Sequence, residues 1–98
     1  MFFTYILYST NLDKYYIGST SDLVDRLKKH NTNHKGFTGR TPDWTIVWTE
    51  EHPTKGTAGK REHQIKAWKS RKMIENLSNN LAQRIPIYNR ERSLVRTR

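Results

Sequence analysis

The stretch KYYIGSTSDLVDRLKKH, residues 14–30, changes from strand-like to helix-like at a single glycine. Aromatic residues typical of a strand precede Gly18, and small hydroxylated residues follow it. A helical spacing of apolar residues then begins. Tyr16, Arg26 and His30 therefore lie around one strand-to-helix turn. A chain that contains such a turn must fold into a mixed α and β architecture.

Two strands are expected on the N-terminal side of that turn. Residues 2–9 form an aromatic and β-branched run, which favours a strand. The segment STNLDK supplies turn chemistry, and residues 15–18 resume the strand pattern. The sequence therefore predicts a β-hairpin over residues 2–18.

The first helix is expected to begin shortly after Gly18. Ser19, Thr20 or Ser21 is predicted to cap it, with Asp22 placed favourably in the first turn. An apolar stripe at helical spacing gives this helix an inward face. Its members are Leu23, Val24, Leu27 and His30.

The remaining pattern adds one strand and one helical region. Residues 31–43 are polar and rich in Gly, Asn and Thr, which predicts an exposed loop. Residues 44–49 alternate as a third strand, and a second helix follows residues 54–57, with a break expected near Ser70. The sequence thus predicts an α+β fold: a small, three-stranded, mostly antiparallel sheet flanked by helices.

Length and charge restrict the function. The 98 residues fit one domain, which we place at residues 1–78, followed by a basic C-terminal extension over residues 79–98. That extension is expected to be a phosphate-contacting arm or a disordered tail. A net charge of +9 favours nucleic acid as the partner, ahead of an anionic membrane surface or no ligand at all. The absence of cysteine and of a signal peptide pattern fits a cytoplasmic protein.

The predicted hairpin contains three candidate site residues, two tyrosines and a glycine. If Tyr5 and Tyr16 lie on facing strands, their hydroxyls emerge on one side of the sheet, together with Gly18. A glycine there lets a ligand backbone approach closely. The competing interpretation is that both tyrosines are ordinary core aromatics.

Charged residues supply the other candidates. Arg26 borders the apolar stripe of the first helix, where its guanidinium suits a phosphate or simply reaches into water. His30 is a candidate for phosphate contact or proton transfer. Glu62 interrupts an apolar helix face, which predicts either a salt bridge or a hard divalent ion.

The sequence does not favour a zinc site. His30 and His34 have the spacing of a helical two-histidine pair, but the intervening asparagines and Gly36 indicate that the helix ends there. No cysteine or third ligand stands at a recognisable zinc spacing.

Taken together, these residues resemble the GIY-YIG nuclease domain. The second motif is literal in Tyr16, Ile17 and Gly18, whereas the first is degenerate and retains Tyr5 at the expected distance. An arginine, a histidine one turn later and a glutamate on a later helix follow in order. The similarity covers residues 2–77, and the segments YILYS and YYIGSTSDLVDRLKKHN look like those of small stand-alone bacterial members.

The resemblance implies a catalytic constellation and a metal. Glu62 would hold a single Mg²⁺ or Mn²⁺ ion, while Tyr5 and Tyr16 would orient the attacking water and the phosphate. A nearby cation such as Arg26 would lower the tyrosine pKa and stabilise phosphoryl charge. His30 would be a secondary contact.

The implied activity is hydrolysis of phosphodiester bonds in DNA, with RNA not excluded, in a structure-selective repair or recombination role. A catalytically inactive nucleic-acid-binding module and a basic protein-interaction domain, with a protein partner for targeting, remain alternatives. Besides Gly18, backbone contacts are expected from Lys60, Arg61, Lys66, Lys69, Arg71 and Lys72.

Overall fold

The computed structural model describes residues 1–32 and 35–80. Three strands and three α-helices make up this part of the chain, with a short 3₁₀ turn between α1 and β3. The elements are β1 Phe2–Ser9, β2 Lys14–Thr20, α1 Leu23–His30, the 3₁₀ turn Phe37–Arg40, β3 Trp44–His52, α2 Lys55–Ala67 and α3 Arg71–Asn80.

The strands form one antiparallel sheet in the order β2-β1-β3. The β1–β2 hairpin pairs Tyr5 with Gly18 and Leu7 with Tyr16. The pairing of β1 with β3 shifts register between Ile6 and Leu7. The predicted α+β class and the antiparallel sheet are confirmed, and β3 continues three residues beyond the predicted strand.

The two faces of the sheet are covered by different helices, because successive strand residues point to opposite sides. One face packs against α1, and its buried members are Tyr5, Leu7, Trp44 and Ile46, with Leu23 and Leu27 against them. The other face packs against α2 and α3 through Ile6, Ile17, Trp48 and Ile65, with Trp68, Ile74 and Leu77 alongside. The sheet is therefore the middle of three layers.

The start of α1 differs from the sequence prediction. Asp22 is the capping residue, and its side chain accepts a hydrogen bond of 3.0 Å from the Asp25 amide. The prediction that Ser19, Thr20 or Ser21 caps the helix was wrong, because β2 continues through Thr20. An aspartate caps as well as a serine does and adds its charge to the positive end of the helix dipole.

Val24 was wrongly placed on the inward face of α1, since it is 52% exposed. Leu23 and Leu27 do pack against the sheet, and His30 is buried at the end of the helix. A stripe at positions i, i+4 and i+7 is narrow, so the neighbouring valine falls outside it.

The segment between α1 and β3 was also wrongly predicted to be an exposed loop throughout. The 3₁₀ turn lies within it, and Thr38 and Thr41 are buried. Asn31 fixes the segment to the sheet, because its side-chain amide donates to the Trp44 carbonyl and accepts from the Trp44 amide. Polar composition hid this burial, because the threonine hydroxyls find partners inside the protein.

The helical region after β3 breaks near Ser70 as predicted, but it begins at Lys55, within the segment that was expected to precede it. Thr54 caps α2 through a bond from the Thr57 amide, and the helices are separated by Lys69, whose φ is +49°. The proposed C-terminal extension was expected from residue 79, but α3 continues to Asn80, and the rest of the extension lies outside the described residues, as does His34. Among the residues described, no helix is long and apolar enough to cross a membrane.

Candidate active site

The two tyrosines lie on the same face of the sheet, as the hairpin register requires. Tyr5 is opposite Gly18 and Tyr16 is opposite Leu7, so the tyrosines form a diagonal pair. Their ring centroids are 6.5 Å apart. Tyr5 is 2% exposed, whereas Tyr16 is only partly buried. Tyr5 is therefore the inner member of the pair and Tyr16 the outer one.

Gly18 is needed by Tyr5. A Cβ placed on Gly18 would lie 2.5 Å from the Tyr5 hydroxyl oxygen and 2.7 Å from its Cζ. The sequence interpretation was that the missing side chain leaves room for a ligand, but the tyrosine ring fills that room. A ligand contact at Gly18 stays a prediction, and its original reason does not hold.

His30 belongs to the interior of the site. It is 7% exposed, its Nε2 lies 2.9 Å from the Tyr5 hydroxyl, and its Nδ1 lies 2.7 Å from Thr38 Oγ1. Its ring centroid is 4.8 Å from that of Tyr16. Both ring nitrogens are engaged, so His30 is placed to orient Tyr5 rather than to meet a phosphate directly. Thr38 was missed, because it stands in a polar segment without periodicity.

Arg26 is exposed on α1 at the rim of the tyrosine face. Together with Lys29, His30 and Thr32 it lines an open depression of about 380 Å³. Within residues 1–32 and 35–80, no carboxylate lies within ion-pair distance of the Arg26 guanidinium. A guanidinium without an internal carboxylate partner is available to an external anion.

Glu62 contacts strand β2 from the face of the sheet opposite the two tyrosines. Its Oε1 accepts a 2.8 Å bond from Ser19 Oγ, and its Oε2 lies 2.6 Å from Lys66 Nζ. Ser19 follows Gly18 and points towards α2, as does Thr4, its cross-strand partner, which bonds to the Ala58 carbonyl. Glu62 is 19% exposed, so it is held at the edge of the sheet and still reaches solvent.

The electrostatics of Tyr5 connect these groups. Burial raises the pKa of Tyr5 above its ordinary value of 10.0, and the nearby Tyr16 and Glu62 raise it further, while Arg26 acts in the opposite direction. Tyr5 therefore senses both Arg26 and Glu62. The expectation that a cation leaves a tyrosine with a lowered pKa was wrong for Tyr5, because burial outweighs Arg26.

The oxygen donors at this edge fit a hard divalent cation. Glu62 supplies a carboxylate and Ser19 a hydroxyl, and Mg²⁺ accepts one or two protein carboxylates with water and phosphate oxygens completing its shell. Lys66 now neutralises one carboxylate oxygen, but its side chain is 47% exposed and free to swing aside. Among the described residues, no three His, Cys, Asp or Glu side chains cluster as a larger metal site.

The residues expected to contact the nucleic-acid backbone fall into two groups. Arg61 pairs with Glu50 and lies over Trp48 and Trp68, while Arg71 pairs with Asp13 and Glu75 over Tyr15. Both guanidiniums thus make contacts within the protein, and a nucleic-acid contact by either of them stays a prediction. The four lysines of the set are exposed: Lys60, Lys66, Lys69 and Lys72. Of these, Lys66 pairs with Glu62.

The fold and the site together define a small α+β domain with tyrosines, an arginine and a glutamate around one sheet edge. The sequence profile of the GIY-YIG catalytic domain matches residues 1–76. The chain therefore belongs to the GIY-YIG family, as its motifs predicted, and the family supports a nuclease-type function. Searches of curated proteins and of solved structures gave no match.

Proposed function

We propose that this chain is a divalent-metal-dependent endonuclease that hydrolyses phosphodiester bonds in DNA. Glu62 would hold one Mg²⁺ or Mn²⁺ ion, with Ser19 beside it. When bound, that ion supplies Lewis-acid stabilisation of the phosphate and of the leaving oxygen. Lys66 would leave the carboxylate as the ion binds, because both compete for the same oxygen.

The remaining steps belong to the tyrosine face. Arg26 binds a non-bridging phosphate oxygen and stabilises the charge that develops there. Tyr16, the outer tyrosine, positions the phosphate. Tyr5 is held by His30 and hydrogen-bonds the attacking water. Tyr5 is a neutral hydroxyl near neutral pH, as any ordinary tyrosine is, and its burial strengthens that preference by raising its pKa.

One observation carries this proposal: Tyr5 stands opposite Gly18 in the hairpin, and the next residue, Ser19, donates to Glu62 Oε1. Glu62 comes from α2, on one face of the sheet. On the other face, His30 bonds to Tyr5 and lines the same depression as Arg26. Such a meeting of a cation, a carboxylate and a hydroxyl is what metal-assisted phosphodiester hydrolysis requires.

A second candidate function is a nucleic-acid-binding module of the same fold without catalysis. Two observations favour it: the pKa of Tyr5 is raised, and the Glu62 carboxylate already has an ammonium partner at 2.6 Å. Binding alone needs neither an ionised tyrosine nor a carboxylate that is available to a metal ion.

Cleavage of fluorescent DNA with and without Mg²⁺ separates the two functions. Flapped, branched, single-stranded and duplex substrates are incubated with wild type, Glu62→Gln and Arg26→Ala. We expect each variant to lose at least about a hundredfold in rate, the usual effect of removing one transition-state contact. Binding without metal-dependent cleavage would establish the non-catalytic module instead.

Matched controls exclude general effects. Glu51→Gln removes an exposed carboxylate from β3 and should leave the rate within about twofold, as for most surface substitutions. Lys28→Ala removes the same charge as Arg26→Ala from the same helix, so its effect measures non-specific attraction alone. Cleavage that survives Glu62→Gln would overturn the metal assignment.

A further inference from the structure

An open cleft lies between edge strand β2 and the junction of α2 with α3. It measures about 330 Å³, which is at the lower end of small-molecule pockets. Its rim carries Lys14, Lys66 and Lys69. Its floor is apolar and comprises Ile17, Ile74 and part of Tyr15. The cleft is on the face of the sheet opposite the tyrosine pair.

The lining suits a ligand with an apolar plane and a negative charge. A bare phosphate ion would use the cationic rim and leave the isoleucine floor in water. A nucleotide uses both, because a nucleobase has an apolar face and its phosphate pairs with ammonium groups. Tyr15 contributes the edge of its ring. The ring centroid of Tyr8 lies 4.8 Å from that of Tyr15, and the guanidinium carbon of Arg71 lies 5.4 Å from it.

The backbone at Lys69 gives an independent reason to regard the cleft as a site. Lys69 has φ of +49°, a left-handed conformation that is unfavourable for a residue with a Cβ and readily adopted by glycine. The helix break would therefore be more stable with glycine. The lysine places an ammonium group at the cleft instead.

Lys66 connects the cleft with the proposed metal site. Lys66 lines the cleft, and its ammonium lies 2.6 Å from Glu62 Oε2. The cleft and the carboxylate are thus one side chain apart. A strand whose phosphate lies at Glu62 has its neighbouring nucleotide within reach of the cleft.

We infer that this cleft binds an unpaired nucleotide next to the phosphate held at Glu62. The inference rests on the proposed function and specifies its substrate as nucleic acid with a single-stranded segment. A paired base could not reach the isoleucine floor, because its face is stacked within the duplex. The cleft therefore selects strands that are open at this position.

Binding measured in EDTA tests the cleft itself, separately from the proposed metal site and from cleavage. Fluorescence anisotropy follows a labelled oligothymidylate, a duplex of the same length and an abasic oligonucleotide, with wild type, Lys69→Gly and Lys14→Ala. At about 0.1 M salt, we expect both variants to bind the single strand at least fivefold more weakly and the duplex within about twofold of wild type. Wild type should bind the abasic strand at least fivefold more weakly than oligothymidylate.

Two controls make the result specific. Lys69→Gly should retain or raise the melting temperature because it removes a strained residue, so weaker binding cannot be ascribed to unfolding. Lys55→Ala removes an equal charge from the far end of α2 and should leave single-strand preference unchanged. Equal losses on single strand and duplex, unchanged binding by Lys69→Gly, or equal affinity for the abasic strand would each overturn the inference. Failure of the nuclease proposal would appear elsewhere, as absence of cleavage by wild type.

Discussion

Tyr5 and Gly18 stand directly opposite each other in the β1–β2 pair, and the ring of Tyr5 occupies the space of a side chain at position 18. Tyr5 of the first motif can therefore pack in this position only because residue 18 of the second motif is a glycine. Motifs that are thirteen positions apart in sequence are one structural unit, because the hairpin folds them together.

Gly18→Ala is therefore expected to displace Tyr5 and to destabilise the fold by about 1–3 kcal/mol, the usual cost of overpacking a core. The added Cβ meets a buried ring that has little room to move. Gly59→Ala is the matched control, because nothing lies within 4 Å of its Cβ and it should stabilise α2 by about 0.5–1 kcal/mol. Urea denaturation measures both, and equal effects would contradict the packing account.

His30→Ala should lower the free energy of unfolding by about 1–3 kcal/mol, because the buried Tyr5 hydroxyl loses its partner at 2.9 Å. His63→Ala, on the exposed side of α2, should change it by less than about 0.5 kcal/mol.

Thr38→Val tests whether Thr38 orients the His30 ring. It removes the hydroxyl at His30 Nδ1 and should lower kcat with little change in KM. A Thr38→Val enzyme with wild-type kcat would show that His30 needs no such support.

The raised pKa of Tyr5 predicts a loss of stability in alkali. The neutral hydroxyl is favoured in the folded state, so this contribution is complete below the ordinary pKa of 10.0 and is lost as the pH rises above it. Between about pH 9 and 11, wild type should lose up to about 1.4 kcal/mol more than Tyr5→Phe. Urea denaturation from about pH 9 to 11 measures the difference, and parallel curves would contradict it.

Lys66→Met should lower the Mg²⁺ concentration that gives half-maximal cleavage, because the ammonium and the metal compete for Glu62 Oε2. A few-fold shift is expected, since the side chain of Lys66 is half exposed and the ion pair is screened by water. The control is Lys72→Met, an exposed lysine on α3. The rates are compared at saturating DNA, and a higher Mg²⁺ requirement in Lys66→Met would refute the competition.

Arg61→Ala tests whether this arginine serves the fold rather than the nucleic acid. It lies over Trp48 and Trp68 at 5.7 and 5.9 Å and pairs with Glu50, so its removal should cost about 1–2 kcal/mol in stability. Lys60→Ala, one residue earlier and exposed, should be nearly neutral. Unchanged stability with weakened DNA binding would instead support the sequence-based prediction that Arg61 contacts the nucleic-acid backbone.

Several elements were predictable because local patterns are strong. The hairpin, the third strand and the break near Ser70 each have their own residues as signals. The errors fall where two local signals competed or none existed. Three hydroxylated residues suited a helix cap and Asp22 suited the first turn, but β2 runs through Thr20 and Asp22 is the cap. Thr38 carried no signal, because its role depends on the distant His30.

The sequence by itself determined the family, the alternation that places Tyr5 and Tyr16 on one face, and the order of the candidate residues. Tertiary structure decided what each of them does. It filled the space at Gly18 with Tyr5, buried His30 and brought Glu62 to Ser19 from the opposite face. The physical reason is that spacing along the chain fixes direction within one element. Burial, charge and pKa depend on which elements pack together.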